Sequence, residues 1–405
     1  MIMKNNNENK ILNVPNLRFP EFTGEWKKER LDEIAELSKG IGISKEQLSS
    51  NGNPCILYGE LYTKYKSEII SEVISKTNIE KNKLKHSKQN DVIIPCSGET
   101  AVDIAVARCV PFDNVLLGGD LNIIRLHKYD GAFMAYQLNS KRKIEIAKLA
   151  QGVSVVHLYG ENLKSINTFN PSLQEQQKIV RLLSLLDERI KVQNKIIEKL
   201  ETLIKGIVVT HHRKYPYKQF VEISKLGKSF SVGVLSKEDL AEDGTPCILY
   251  GELFTTYNCV ADVIESRTNR TDNQVYSKGD ELLFPASTTV DAVSLITPTA
   301  LIVANVVLGG DMFGIHINKE YNAIYISYIL NYVYRQRIAK YAQGCTIIHL
   351  HYKDIKNFKL SLPPIEKQEK IVNTLNSMQE KIDCEKQNLR LLNDLRSFLL
   401  SKLFI

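Results

Sequence analysis

Cys345, His349 and His351 stand within seven residues of one another, a thiol and two imidazoles of the kind a tetrahedral zinc site uses. A matching segment 192 positions earlier carries Val153, His157 and Tyr159 in those places. Two of the three ligands are thus absent from an equivalent fold. His157 and His349 are expected to hydrogen-bond within their own domains, and no metal is assigned. Leu226-Gly227-Lys228-Ser229 ends like a phosphate-binding loop, but Glu222 stands where the first glycine must be, and without it the backbone cannot cradle a phosphate. Asn170-Pro171-Ser172-Leu173 lacks the second proline and the ring with which amino-methyltransferases hold a flipped adenine. No GxGxxG cluster offers a cofactor pocket, no Ser/His/Asp arrangement is legible, and His211 and His212 are expected on the surface. The chain is therefore expected not to be an enzyme.

Recognition chemistry remains. Ser97, Glu99, Thr100 and Asp103 follow a strand ending in Pro95, and Ser287, Thr288, Thr289 and Asp291 follow one ending in Pro285; such loops can offer donors and acceptors to base edges. The two loops diverge inside matching frames, either because each reads a different word or through loop drift. Lys64, Lys66, Lys76, Lys81, Lys83, Lys85, His86 and Lys88 crowd one polar stretch, and Arg267, Arg270 and Lys278 occupy its counterpart. With a net charge of +7, these cations favour a polyanionic partner; a solvated charged loop is the other reading of any one of them. The DNA-binding candidates are Lys64, Lys66, Lys81, Lys83, Lys85, Lys88, Ser97, Thr100, Arg267, Arg270, Lys278, Ser287, Thr288 and Thr289.

The scaffold beneath these residues is duplicated. Pro54-Cys55-Ile56-Leu57-Tyr58-Gly59-Glu60-Leu61 returns unchanged at Pro246 to Leu253, and Leu117-Gly118-Gly119-Asp120 answers Leu308-Gly309-Gly310-Asp311. A repeat of this length is a domain. Short β-branched runs broken by Gly, Pro and Asn predict mixed domains over residues 15–168 and 213–360. Two helical stretches alternate with them, over 169–212 and 361–405. In the first, Gln176, Ile179, Leu183, Leu186, Ile190, Gln193, Ile197, Leu200, Ile204 and Ile207 step by three and four, a seam sustained for over four heptads; Gln368 to Leu392 repeats it. The stripes are expected to pack on each other. Gln193 and Glu385, polar within apolar seams, are expected to face each other and fix the register. Residues 1–14, rich in Asn and Lys, are expected to be a disordered tail without the features of a signal peptide. No apolar run is long enough to span a bilayer. Seven cysteines without a CxxC pair suggest buried thiols in a reducing cytoplasm.

The segment order, the helix openings Pro171-Ser-Leu-Gln-Glu-Gln176 and Pro364-Ile-Glu-Lys-Gln368, the Tyr-Gly pairs at 58–59 and 250–251 and the Gln-Gly pairs at 151–152 and 343–344 together resemble the DNA-specificity (S) subunit of type I restriction-modification enzymes. The resemblance covers nearly the whole chain. It implies an α+β protein in which two similar mixed α/β target-recognition domains are joined by two long helices forming an antiparallel coiled coil, pseudo-two-fold symmetric, with each domain reading half of a bipartite target in double-stranded DNA. It also implies no cofactor of its own: two methyltransferase subunits would use S-adenosylmethionine, and two motor-nuclease (restriction) subunits ATP and Mg. A coiled-coil DNA-binding adaptor or structural protein without base-specific readout is the alternative, and an autonomous methyltransferase is the third.

Overall fold

A computed structural model describes residues 2–3, 13–214, 220–270 and 272–405. Ile2–Met3 pairs with Leu17–Arg18; most of the expected tail, residues 1 and 4–12, lies outside the described residues. The chain folds into two compact units. Unit 1 comprises Met1–Asn194 and Gln387–Ile405, and unit 2 comprises Lys195–Lys386, so the division falls within the long helices rather than at their ends. The fold is α+β, with mixed α/β domains and two long helices, as expected.

Each unit holds two sheets built to one plan. In unit 1 the strands Arg108–Val110, Asp91–Pro95, Leu121–Leu126 and Ala35–Lys39 form an antiparallel sheet in that order. A second sheet runs Leu48–Ser49, Ser75–Thr77, Asn53–Ile56, Leu116–Leu117, Lys85–His86, with one parallel pair at its centre. Unit 2 repeats both orders and adds Val260–Ala261 beside Thr299–Leu301; unit 1 makes only the bridge Ile69 to Cys109 there. The exact sequence repeat lies in this framework. Cys55 and Ile56, like Cys247 and Ile248, are buried, and the glutamate after each Tyr-Gly pair clamps its own turn. Glu60 accepts from Leu57 N (3.0 Å) and Glu252 from Leu249 N (2.7 Å).

The helices, Leu173–Lys214 and Ile365–Leu403, begin alike for a reason visible at atomic level. Gln176 Nε2 donates to Pro171 O (2.9 Å) while its Oε1 accepts from Asp130 N (2.9 Å). Gln368 Nε2 donates to Pro363 O (2.7 Å) and its Oε1 accepts from Asn322 N (3.0 Å). The working proline of the second opening is thus Pro363, at the same spacing as Pro171. Asp130 and Asn322 in turn cap the helices Gly131–Asn139 and Ala323–Ile329. Each buried amide therefore stitches a long helix to its domain.

Within each unit the helix segments run antiparallel. Asp187 meets Arg396 (2.5 Å) in unit 1 and Glu201 meets Lys386 (3.1 Å) in unit 2. Their apolar faces are not reserved for each other. Ile179, Leu183, Leu399 and Leu403 share one core with Trp26, Phe133, Tyr136 and Phe169, so in unit 1 the helix stripes meet each other as expected and pack on the domain as well. Gln193 is buried in unit 1, and Glu385, buried in unit 2, pairs with Lys381 one turn away (2.5 Å). Two other expectations are corrected. Cys345 and Cys384 are exposed, because one sits at a hairpin tip and the other on an outward helix face; the remaining five thiols are buried, and burial pushes Cys55 up to about 11 and Cys109 up to about 12. His211 and His212 are half-buried rather than surface residues, edge-on to Tyr325 and Tyr334.

Two predictions follow from these joints. Arg396 also pairs with Glu68, so Arg396→Met leaves buried Glu68 without its cation, while half-buried Asp187 keeps Tyr136 and Ser67, and should cost about 3 kcal/mol in denaturant unfolding; a loss under about 1 kcal/mol would show that the network is slack. Burial first, then Lys367 for His211, and His211 and Arg337 for His212, hold both imidazoles below their ordinary value. The unfolded chain takes up protons near pH 6.5 while the folded one resists, so this contribution is complete above about pH 6.5 and is lost as pH falls below it. His212→Phe should lessen the fall in melting temperature between about pH 7 and about pH 5, and an unchanged fall would exclude His212 as a source.

Candidate nucleic-acid interface

Four loops converge at one end of the unit 1 sheets. Ile41 N donates to Leu117 O (3.1 Å), Cys96 N to Asp120 O (2.7 Å) and Leu158 N to Cys96 O (2.7 Å), and Ser97–Gly98 pairs with Val156–His157. Residues 40–44, 96–100, 117–120 and 151–158 are thereby fastened together. Gly40 permits the closest approach, since a Cβ there would lie 1.9 Å from Gly118 O. Unit 2 makes the same knot through Gly233 N to Leu308 O (3.1 Å), Ala286 N to Asp311 O (2.8 Å), Leu350 N to Ala286 O (2.9 Å) and the pairing of Ser287 with His349.

The structure divides the candidate residues. Lys81 and Lys83 form an exposed turn before the half-buried Lys85. Leu84 shares a core with Ile43 and Leu57, which sets that turn beside the 40–44 loop. In unit 2 the corresponding turn also touches its loop, with Asn273 O 3.0 Å from a Cβ built on Gly233. Lys88 and Lys278 are exposed at the start of the strands Asp91–Pro95 and Glu281–Pro285, the end remote from Ser97 and Ser287. Lys64 pairs with buried Glu60 (2.7 Å), and Lys66 is exposed next to Ser67, which bonds Asp187 on the central helix. Arg267 donates to Gly244 O (3.0 Å) and Arg270 pairs with Asp239 and Asp272 (both 3.2 Å).

Among the polar loop residues, Ser97 and Ser287 are buried, and Ser97 Oγ donates to Asp120 (3.2 Å). Thr100 caps the short helix Ala101–Ile104, accepting from Asp103 N (3.2 Å) and donating to the Asp103 carboxylate (2.6 Å). Asp291 does the same for Ala292–Leu295, and its bonds from Ser294 and the neighbouring backbone hold its carboxyl below the usual range. Thr288 accepts from Val290 N (3.3 Å). Glu99, Thr100 and Asp103 are exposed in the first loop, and Thr289, Val290 and Asp291 in the second.

Lys39 was not singled out from sequence, and the histidines beside it were weighed only as metal ligands or internal hydrogen-bonding groups. Lys39 Nζ lies 5.8 Å from the Tyr159 ring, on which His157 stacks at 6.2 Å; His349 and His351 stack in the corresponding place at 6.0 Å, and His351 also caps the helix Tyr352–Ile355. The repeated Gln-Gly and His-Leu frame was the available signal. Asp280, Glu281 and His316 also gather away from this end, with His316 Nδ1 2.9 Å from Asp280 and 3.3 Å from Glu281. Their unit 1 counterpart is the forked ion pair of Arg125 with buried Asp91 (2.8 and 2.7 Å), which identifies the trio as a scaffold contact.

The pattern of the type I restriction modification DNA specificity domain matches twice, over residues 23–202 and 218–394. The chain belongs to that family. It is 21% identical over 419 residues to the type I restriction enzyme MjaVIII specificity subunit of Methanocaldococcus jannaschii, covering 96% of this chain and 93% of that protein. It shares its fold with the type I restriction-modification S subunit of M. genitalium, at a TM-score of 0.61 and 19% identity over 97% of this chain and 99% of that one. A chain from a structure addressing complex assembly and conformational transition of the type I R-M system gives a TM-score of 0.54 at 15% identity, covering 94% and 97%. Among the described residues no helix is long and apolar enough to cross a membrane.

The exposed Lys81–Lys83 turn, expected from sequence to bind DNA, can be tested directly. Replacing Lys81, Lys83 and Lys85 together with alanine should weaken binding to all DNA sequences alike and lower the salt slope of log K by about 2 to 3, one counterion for each lost contact. An unchanged slope in a salt titration would leave the turn as a solvated loop.

Proposed function

We propose that each unit reads one half of a bipartite target in double-stranded DNA and that the long helices set the unread spacer between the halves. The chain supplies no catalytic group. It directs adenine methylation by two modification subunits, which use S-adenosylmethionine, and restriction by two motor-nuclease subunits, which use ATP and Mg.

The observation that carries this reading is a duplicated scaffold with unlike tips. The knot of four loops and the glutamine stitch recur bond for bond, whereas Gly98-Glu99 between the buried serine and the cap Thr100 is answered by Thr288-Thr289-Val290 before the cap Asp291. Equal frames with different exposed groups suit two different words held at a fixed separation. A partner surface is also available: Leu391, Leu395 and Phe398 lie exposed on one face of the C-terminal helix, at spacings an apolar helical partner can grip.

Exchanging residues 15–168 for the equivalent domain of a related protein should change one half of the methylated site and leave the other half and the spacing intact, read by mapping methylated adenines in host DNA. A change in both halves at normal protein level would refute independent reading. The purified chain, given labelled S-adenosylmethionine and DNA, should transfer no methyl group until its modification subunits are added; transfer by the chain alone would overturn the non-catalytic assignment.

A further inference from the structure

Each unit carries a hairpin that is rigid at its root and bare at its tip. Gln151 and His157 exchange two backbone hydrogen bonds (2.8 and 2.7 Å), as do Gln343 and His349 (2.9 and 2.7 Å). The turn above them requires glycine: Gly152 and Gly344 have φ of +120° and +127°, and a Cβ would lie 2.2 Å from Val155 O and 2.0 Å from Ile347 O. Beyond this root Val153 is 97% exposed and Val155 52%, and in unit 2 Ile347 is 49% exposed beside exposed Cys345.

Apolar side chains held rigidly in water imply a partner, and their number limits which kind. A stable protein interface buries about 800 Å² on each side, far more than two small side chains present. Wedges that unstack base steps from the minor groove use Phe, Leu, Ile, Met or Pro; Ile347 is of that kind, but Val153 and Cys345, at the equivalent place in the two turns, are not. A single apolar group on a stiff arm does suit the major groove, where thymine is distinguished by its 5-methyl group and read by apolar contact. The root is furnished for a polyanion, with Lys39, His157 and Tyr159 beside it.

We infer that the two hairpin tips enter the major groove of double-stranded DNA and read thymine 5-methyl groups, Val153 in one half-site and the Cys345 to Ile347 tip in the other. This rests on the base-reading function proposed above and assigns it specific residues.

The test uses the full chain assembled with its modification subunits. Selection from a random pool of DNA duplexes gives the preferred site, and synthetic duplexes then replace its thymines one at a time with deoxyuridine, which lacks only the methyl. Binding should fall about fourfold at one thymine of each half-site, the worth of one buried methyl group. Val153→Ser, at a position 97% exposed and so expected to leave the melting temperature unchanged, should abolish that sensitivity in one half-site alone, and Ile347→Ser should abolish it in the other. Undiminished sensitivity in both variants overturns the inference, as does a site whose thymines are all indifferent to the change. Loss of assembly with the modification subunits at unaltered DNA preference also overturns it, making the tip a protein contact. If the unaltered chain selects no site at all, the base-reading function itself fails, an outcome distinct from the others because no variant is needed to see it.

Discussion

A buried amide must satisfy both of its ends, and in this protein two of them fix how a 42-residue and a 39-residue helix leave their domains. Gln176 and Gln368 each donate to a proline carbonyl on one side and accept a backbone N–H of the domain on the other. Leaving either group unpaired in the interior costs about 1–3 kcal/mol, so a helix that pivots about its first turn breaks both bonds together. Glu175 adds a second tie in unit 1, accepting a forked pair from Arg18 (both 2.7 Å) and the indole N–H of Trp26 (3.3 Å). The direction of each helix is thus set at its origin, before the seam begins.

The eight-residue identity between the copies belongs to the same kind of constraint. Pro54 to Leu61 and Pro246 to Leu253 contain a buried cysteine, a buried isoleucine in the parallel strand pair and a glutamate that closes the turn. None of these requirements involves a partner molecule. Identity marks what the fold cannot vary, and the copies differ at the tips carried by the repeated frame. The aligned lysine-rich stretches obey the same division: Ser87 and Ser277 each bridge a carbonyl and an N–H of the neighbouring loop, while the cations around them change.

How far the sequence could be read follows from the range of the interactions involved. The long helices were legible because their apolar stripe is periodic and local, and the duplication because identity needs no geometry. The roles of single polar residues were less so. Arg270 was legible as a cation but not as the partner of Asp239, 31 positions away; Ser97 reads as a loop hydroxyl, yet its strand pairs with His157, far along the chain, and buries it. Lys85 and Lys88 are neighbours in sequence, yet Lys85 pairs with Leu117 beside the loop knot while Lys88 precedes the remote end of the strand Asp91–Pro95 in the other sheet. The hairpin tips escaped because Val153 and Ile347 look like core residues in a β-branched run, and only the positive φ of the glycine before them turns that run outward.

The two units solve one problem, the joint between domain and helix, by different chemistry. In unit 1 Tyr136 donates to Asp187 (2.6 Å), which also receives Arg396, and Arg396 reaches Glu68. Gln379 stands where the repeat would put another Asp187, and Tyr328 where it would put Tyr136. Tyr328 there is pressed against Tyr332 at 6.1 Å, and Ser327 bonds the carbonyls of Cys259 and Pro298 (2.6 and 2.8 Å). An ion network in a dry joint tolerates no missing member, whereas an aromatic joint loses stability in proportion to the area removed. The backbone plan is therefore shared while its tolerance of substitution is not: unit 1 is brittle at its joint and unit 2 graded, although both carry the same loop knot at the opposite end.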